Sequence, residues 1–465
     1  MSWSEDMVAR AFEARKNELP AEVAAQTKRI ILDSIGCMYG AADTKMAAAL
    51  VTGLPDLGAG EQATLLGQAR RAGIEAALLF NGGLLRYLDL NDVQSSERIN
   101  QPRHGHNSEF LPVVLALAER QDLSGREVVA ALSRSFDLAT AFTECVTGPS
   151  LEERGWNMDL RAAFVVPVVA GQLLGMSEAQ IVHAVGISGS RSGVLGILDS
   201  DTEENSMAKN LRFPFTALTA LYSTFLAKAG VSGPVNVLEG HAGFASSVLA
   251  GDFDPAPLST EYLEHRVLDA ILKNFASCFA THGHLTATLA LVTEHDIRPD
   301  QVERVDVLTT TRGVRHTGQP VRRKPTTKET ADHSAFYVQA TLIRERRLGP
   351  EQYKDGRMKD PEVHELMDRV FIEPDERFDS QYPAAEVRIT LKDGRQLTHV
   401  APYALGHRQN PMSDAQIEDK YFGMTVPHVG QERAERMRDL IWRLDELDDL
   451  EQLFTLLRGS ESRGS

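Results

Sequence analysis

A mainly α-helical fold, with a smaller α+β part, is predicted by three features of the chain. Hydrophobic residues repeat at helical spacing through most of the first 270 residues. Strict alternation replaces that period in segments after residue 299, and the helical period returns from residue 413. A helical end after an α+β insert predicts that the C-terminus packs back on the first helical part. The expected organisation is therefore a large all-α helical domain of residues 1–269 and 410–465, built from both ends of the chain, with an α+β lid of residues 270–409. A chain of 465 residues is also too long for one ordinary core.

Taken in order, Ala21–Ala42 carries Val23, Ile30, Ile31, Ile35 and Met38 on one stripe, with Gly36 and Gly40 small enough for close helix contact. Comparable helical patterns occupy Arg71–Leu88, Phe110–Arg120, Gly125–Thr143, Leu160–Leu174, Glu178–Ser188, Met207–Ala229 and Thr260–Ala270. In Glu303–Thr311, Val305 and Val307 alternate with polar neighbours and predict a strand. Val387, Ile389 and Leu391 alternate likewise and run into Asp393-Gly394, a two-residue hairpin signal, with Gln396–Ala401 returning. An antiparallel sheet is expected, with helices near Lys328–Glu345 and Pro361–Val370 between its strands. Ser413 suits the N-cap of a helix over Asp414–Phe422. Arg433–Leu457 is amphipathic through Met437, Leu440, Ile441, Leu444, Leu447, Leu450, Leu453 and Leu457, and Gly459–Ser465 reads as a frayed tail.

Charge restricts the partners. Lys and Arg total 49 against 65 Asp and Glu, a net charge of −16. Such a chain repels nucleic acid and anionic membrane surfaces. No apolar stretch approaches the roughly 18–20 residues that cross a bilayer. Met1–Pro20 is charged throughout and lacks the apolar core of a secretory signal. Cys37, Cys145 and Cys278 form no CxxC and are odd in number, so free thiols and a cytoplasmic location are expected. Cys278 is read as a buried structural thiol in preference to a nucleophile.

The chemistry concentrates in Arg86-Tyr87-Leu88-Asp89-Leu90-Asn91-Asp92 and, after a short loop, Arg103-His104-Gly105-His106-Asn107-Ser108-Glu109. Carboxylates, imidazoles and guanidiniums so close together suit proton transfer on a small carboxylate-bearing molecule. A helix opening after them, at Phe110, aims unpaired N–H groups at any anion held there. Imidazole is the side chain best matched to acid–base work near neutral pH. Against this stands the ordinary reading of Asp89 and Asp92 as a solvated helix end. His282 and His284 suggest no third ligand by spacing, HExxH is absent, and no metal is expected.

These segments resemble the MmgE/PrpD family. "RYLDLND…GHNSEFLP" is similar to its "R-[WY]-L-D-F-N-D…H-P-S-D", which places Asp89 and His106 at motif positions. Ser206-Met207-Ala208-Lys209 resembles the family's "M-x-K", and Gly230–Phe244 its "G-x-x-G-P-x-x-x-L-E-G-x-x-G-F". Lys273-Asn274-Phe275-Ala276-Ser277-Cys278-Phe279-Ala280-Thr281-His282 resembles "K-x-[YF]-P-x-C-x-x-x-H". Lys328–Ser334 followed by Tyr337 resembles "R-E-T-A-D-H-S-x-x-Y". Departures are Val93 where the family commonly has Thr, Asn107 and Ala276 for Pro, and Glu109 for Asp. Asn157, in Arg154-Gly155-Trp156-Asn157, replaces the His of the decarboxylase branch's "G-F-H" and cannot do acid–base work at neutral pH.

The resemblance implies a helical domain with an α+β lid, a homodimer, no cofactor, and a lyase that acts on a di- or tricarboxylate. The reaction expected first is dehydration of a 2-methylcitrate-like hydroxy acid. Alternatives are an epimerase or isomerase of an amino- or iminodicarboxylate, a cis-aconitate-type decarboxylase, and a catalytically silent binding protein. Asp89, His106, Lys209 and His282 are the expected catalytic residues, with the two imidazoles as acid and base. Arg86, Asn157, Arg212, His333 and Tyr337 are the expected substrate-binding residues.

Overall fold

The computed structural model describes residues 2–54, 60–95, 104–191, 193–259, 265–354 and 356–459. Helices dominate. Ala21–Gly40, Ile74–Tyr87, Leu111–Gln121, Gly125–Cys145, Ala162–Leu173, Glu178–Gly189 and Arg212–Lys228 pack on one another around an apolar core. The C-terminal helices Asp414–Val429 and Gln431–Trp442 lie against Ala21–Gly40. Gly36 admits that contact: a Cβ there would stand 3.2 Å from the Tyr421 backbone. Ser413 caps the Asp414 helix, as its sequence suggests, in a reciprocal capping box with Gln416.

Residues 302–401 hold a four-stranded sheet in the order Val370–Pro374, Val302–Thr309, Ala385–Leu391, Gln396–Ala401. Gly394, at φ +87°, makes the expected hairpin turn. Helices His282–Glu294 and Ala335–Glu345 cover the sheet. It is mixed and not purely antiparallel, because Val302–Thr309 and Val370–Pro374 run parallel. Their connection passes through several helices, which is the kind of crossover a parallel pair requires.

Some helical stretches are interrupted where side chains or neighbouring backbone compete for the ladder. Arg71–Ala72 is a short strand, and the helix starts at Ile74. Lys328–Glu345 breaks at Ser334, whose hydroxyl accepts from the Tyr337 N–H at 3.0 Å and recaps the second piece. Arg433–Leu457 breaks after Trp442, and the Leu447 carbonyl accepts from Gly125 N–H at 2.9 Å. In Thr260–Ala270, residues 260–264 lie outside the described residues, and Arg266–Asp269 is a 3-10 turn. Most of the expected tail, residues 460–465, also lies outside them. Among the described residues no helix is long and apolar enough to cross a membrane.

Two local features position the site. Helices Ile74–Tyr87 and Arg212–Lys228 approach closely at Gly82, where a Cβ would stand 2.7 Å from the Pro214 ring. That contact brings Arg86 near Lys209 and Arg212. A small sheet of Val93–Ser95 with His104–Gly105 and Ala270–Ile271 then draws the loops bearing Asp89, His106 and Lys273 together.

Candidate active site

Asp89 follows the C-terminus of the Ile74–Tyr87 helix in a left-handed conformation, φ +48°, which Asp tolerates better than most side chains. It is buried, and cations surround it. Arg86 Nη1 lies 2.7 Å and Lys273 Nζ 2.5 Å from its Oδ1, while Lys209 Nζ and His333 Nε2 each lie 3.5 Å from its Oδ2. Burial alone would raise this carboxyl, but Arg86, Lys273, Lys209 and His333 outweigh burial and hold it well below the usual range.

Asp199 forms a second centre. Its Oδ2 receives Arg212 Nη1 at 2.6 Å, and its Oδ1 lies 3.8 Å from Lys209 Nζ and 3.7 Å from His333 Nε2. Arg212 Nε also faces Asp159 Oδ2 at 3.1 Å. Behind Arg86, Glu109 Oε1 lies 3.6 Å from its Nε. Burial and neighbouring Asp159 push the Glu109 carboxyl up to about 8. The buried cluster thus sets Arg86, Arg161, Lys209, Arg212 and Lys273 against Asp89, Asp159 and Asp199. This is the local cation surplus that an acidic protein needs to hold a polyanion.

A cleft of about 480 Å³ opens on this cluster, lined among others by Arg86, Asp89, His106, Asn157, Asp159, Arg161, Asp199, Arg212, Cys278 and His333. His106 Nδ1 lies 2.6 Å from the Asp92 carbonyl. Only a protonated Nδ1 makes that bond, so the neutral ring carries its lone pair on Nε2. Burial, with Arg86 and Lys273 nearby, lowers its pKa well below the usual imidazole value. Asp92 itself serves the loop. Its carboxylate accepts the N–H groups of Asn107 (3.2 Å) and Ser108 (3.1 Å) at the turn that leads into the Leu111 helix. Burial raises it to about 6.

The expected site residues divide into three groups. Asp89, His106, Arg86, Asn157, Arg212 and His333 line the cleft. Lys209 stands behind it, touching Asp89 and Asp199. His282 and Tyr337 do not line it. His282 heads the His282–Glu294 helix behind Phe279, with its ring between those of Phe275 and Phe279 and its Nε2 3.4 Å from the Ser277 carbonyl. Burial and Lys273 lower its pKa well below the usual value. The Tyr337 hydroxyl donates to the Gln352 carbonyl beside Tyr353, away from the cleft. Asn157 accepts the Asp159 N–H at 3.0 Å, so part of its role is to cap a turn.

Lys273, Asp199, Asp159 and Lys420 join the site without having been singled out from sequence. Lys273 was within reach, since it opens the segment ending at His282. Lys420, from the Asp414–Val429 helix, pairs with Asp33 at 2.5 Å and donates to the carbonyls of Leu90 (3.0 Å) and Lys273 (2.7 Å), tying both site loops to the C-terminal helix. Among the described residues two trios have metal-ligand spacing: Cys278, His316 and His333, and Asp89, Asp332 and His333. At the second trio Asp89 already holds Arg86 and Lys273, so the local field there opposes a divalent ion.

The MmgE/PrpD N-terminal domain model matches residues 5–256, and the MmgE/PrpD C-terminal domain model matches residues 275–446. A cis-aconitate decarboxylase of Aspergillus terreus is 25% identical over 470 residues, covering 95% of this chain and 93% of that protein. The human cis-aconitate decarboxylase is 24% identical over 461 residues, covering 95% and 91%. A cis-aconitate decarboxylase-like protein of Aspergillus oryzae is 24% identical over 471 residues, covering 96% and 95%.

Proposed function

The chain belongs to the MmgE/PrpD family, and on that premise we propose that it is a lyase that dehydrates a 2-methylcitrate-like hydroxy polycarboxylate. The observation that carries this reading is the neutral His106, lone pair on Nε2, on the wall of a cleft rich in buried cations. Arg212, Arg86 and Arg161 hold the substrate carboxylates. His106 Nε2 removes the proton next to one carboxylate, and the developing enediolate charge faces Arg86, with Lys273 and Lys209 buried behind it on Asp89. The C–O bond breaks and the hydroxyl leaves as water, with His333 Nε2 supplying its proton. Asp332, 2.5 Å from His333 Nδ1, holds that ring in place. Asp89 keeps Arg86 and Lys273 aligned. The acid role thus passes from His282, which lies behind Phe279, to His333.

The names of the relatives favour a second reading, decarboxylation of an unsaturated tricarboxylate. The same cations would hold the anion, and a proton would replace the departing carboxyl at carbon. Asn157 weighs against it, lacking a titratable proton. Incubation of the pure protein with 2-methylcitrate, citrate and cis-aconitate decides between them. A new alkene absorbance without CO2 supports dehydration; CO2 from cis-aconitate supports decarboxylation. Exchange of substrate hydrogen for deuterium without net product would indicate an epimerase instead. No turnover with any hydroxy-, amino- or unsaturated polycarboxylate would sink the enzyme reading.

The reading extends to assembly and location. Residues 1–269 with 410–465 form the helical domain and 270–409 the lid, supported by the C-terminal helices lying on Ala21–Gly40. The protein acts as a homodimer. Phe215, Tyr222 and Leu226 recur on one face of the Arg212–Lys228 helix and are about half exposed, beside exposed Leu195 and Ile197. They adjoin an apolar groove of about 450 Å³ that shares Ile197 and Arg212 with the cleft. A second copy is the partner this stripe fits. Light scattering should give twice the chain mass, and Tyr222→Glu with Phe215→Glu should give one chain mass; a monomeric parent protein would refute the dimer. A cytoplasmic location agrees with three free cysteines.

A further inference from the structure

The dehydration scheme leaves Cys278 unused, although it lines the cleft. Two imidazoles face it. Cys278 Sγ and one ring nitrogen each of His316 and His333 lie within 4.8 Å of one another. Each ring is gripped from behind by a carboxylate at Nδ1, Asp332 for His333 and Asp201 for His316. The two rings meet edge to face, with centroids 5.2 Å apart. Nδ1 protons claimed by carboxylates leave Nε2 as the nitrogen that takes the thiol proton, which is the geometry that activates a sulfur nucleophile. Burial alone would raise the thiol, but His333 and His316 outweigh it and bring it down to about 5. Burial likewise opposes the charge on His316, yet Cys278 and Asp201 carry it up to about 10. Sulfur and imidazole thus each favour the charged form of the other.

An independent feature of the same cleft calls for an anion. Arg161, 1% exposed, lines the cleft with Nε and Nη2 lacking a hydrogen-bond partner among the described residues. Arg312 and Arg315 stand in the same lining on the side of His316.

We propose that Cys278 is a thiolate nucleophile that captures α,β-unsaturated carboxylates entering the cleft, with His316 as its proton donor. Sγ attacks the alkene carbon β to a carboxylate, and the S–C bond forms. The π pair moves to the α-carbon as a carboxylate-stabilised carbanion, which takes the proton from His316 Nε2. A thioether and a neutral imidazole result, and no oxidant or reductant is needed. The choice of carboxylates as partners rests on the polycarboxylate reading of the cleft; the thiolate does not.

The test is alkylation of the full-length protein, followed by intact mass and peptide mapping. Iodoacetamide should label Cys278 at pH 6 within about 3-fold of its rate at pH 8, whereas an ordinary thiol slows about 100-fold over that range. Cys37 and Cys145, fully buried and away from the cleft that Cys278 lines, are internal controls and should stay unlabelled. His316→Asn should cut the pH 6 rate at least about 10-fold. Maleate should add once, at Cys278. An ordinary pH dependence, or no labelling of the native protein, would overturn the thiolate. Labelling that appears only after chelation would also overturn it, in favour of a metal on the Cys278, His316 and His333 trio. Failure of maleate to add to a labelled-competent Cys278 would overturn the proposed partner class. Saturated tricarballylate, which cannot react, reports separately on the cleft: its protection of Cys278 from iodoacetamide tests the polycarboxylate reading whether or not an adduct forms.

Discussion

Lys273 Nζ sits 2.5 Å from Asp89 Oδ1, a buried ion pair between residues 184 positions apart. Arg86 holds the same oxygen at 2.7 Å, so Asp89 is the anion that allows two cations to stay inside the protein. Asp89→Asn removes the charge and leaves both uncompensated. A loss of about 3–5 kcal/mol is expected, the usual result of breaking a buried pair from one side. Denaturant unfolding at pH 7 measures it. Because the folded-state pKa is depressed, this contribution is present above the unfolded value of about 4 and fades as pH falls through the folded one. Parent and variant should therefore converge in acid. Equal stability at pH 7 would show that Asp89 is not the anchor.

Glu109 gives the opposite sign. Burial and Asp159 hold it at about 8 in the folded protein, against about 4.3 unfolded. Between these values the folded state binds the proton and the unfolded state does not, so this group's contribution declines as pH rises. Glu109→Gln keeps the shape without the charge. The variant should match the parent near pH 4 and exceed it progressively toward pH 8, at about 1.4 kcal/mol per pH unit as an upper limit. Melting temperatures across that range provide the measurement. A gap that closes toward pH 8 would mean Glu109 is ionised and paired.

Among the imidazoles, His106 and His282 should separate. His106 lines the cleft, and His282 lies behind Phe279. His106→Ala should cost at least about 10²-fold in turnover, the usual size of acid–base loss, with little change in melting temperature. His282→Ala should act mainly on stability, because it hollows a buried site between Phe275 and Phe279. If His282→Ala alone abolishes turnover at unchanged stability, the acid role belongs to it and not to His333.

The contrast between those histidines shows what a sequence can and cannot reveal about such a site. The helical period over Ala21–Gly40 and the alternation through Val387, Ile389 and Leu391 were legible because burial imposes its period on the residues that satisfy it. The parallel pairing of Val302–Thr309 with Val370–Pro374 was not, since direction depends on the route of the crossover. Asp89 and His106 were visible as a dense local motif. Asp199 and Lys420 were not, because an acid in a polar loop and a lysine on an amphipathic helix look like solvated residues. Only tertiary packing turns Lys420 inward, onto Asp33 and two loop carbonyls. Cys278 read as a structural thiol because its imidazole neighbours come from distant segments.

Asn157 provides the sharpest test of reaction type. It lines the cleft in the segment that resembles the decarboxylase branch's "G-F-H" with Asn in place of His, and its side chain accepts the Asp159 N–H at 3.0 Å. An amide can orient a carboxylate but cannot deliver a proton to carbon. Asn157→His supplies a titratable proton at that point of the wall. Loss of the cap should cost roughly 1 kcal/mol, which a melting curve registers. If the parent protein is a dehydratase, the variant should release CO2 from cis-aconitate at least about 10-fold faster than the parent, while alkene formation from the hydroxy acid falls or stays level. Both rates are read in one experiment, by headspace CO2 and ultraviolet absorbance. A parent protein that already releases CO2 as fast as Asn157→His would mean that another group protonates the carbon, and decarboxylation would replace dehydration as the reaction of this cleft.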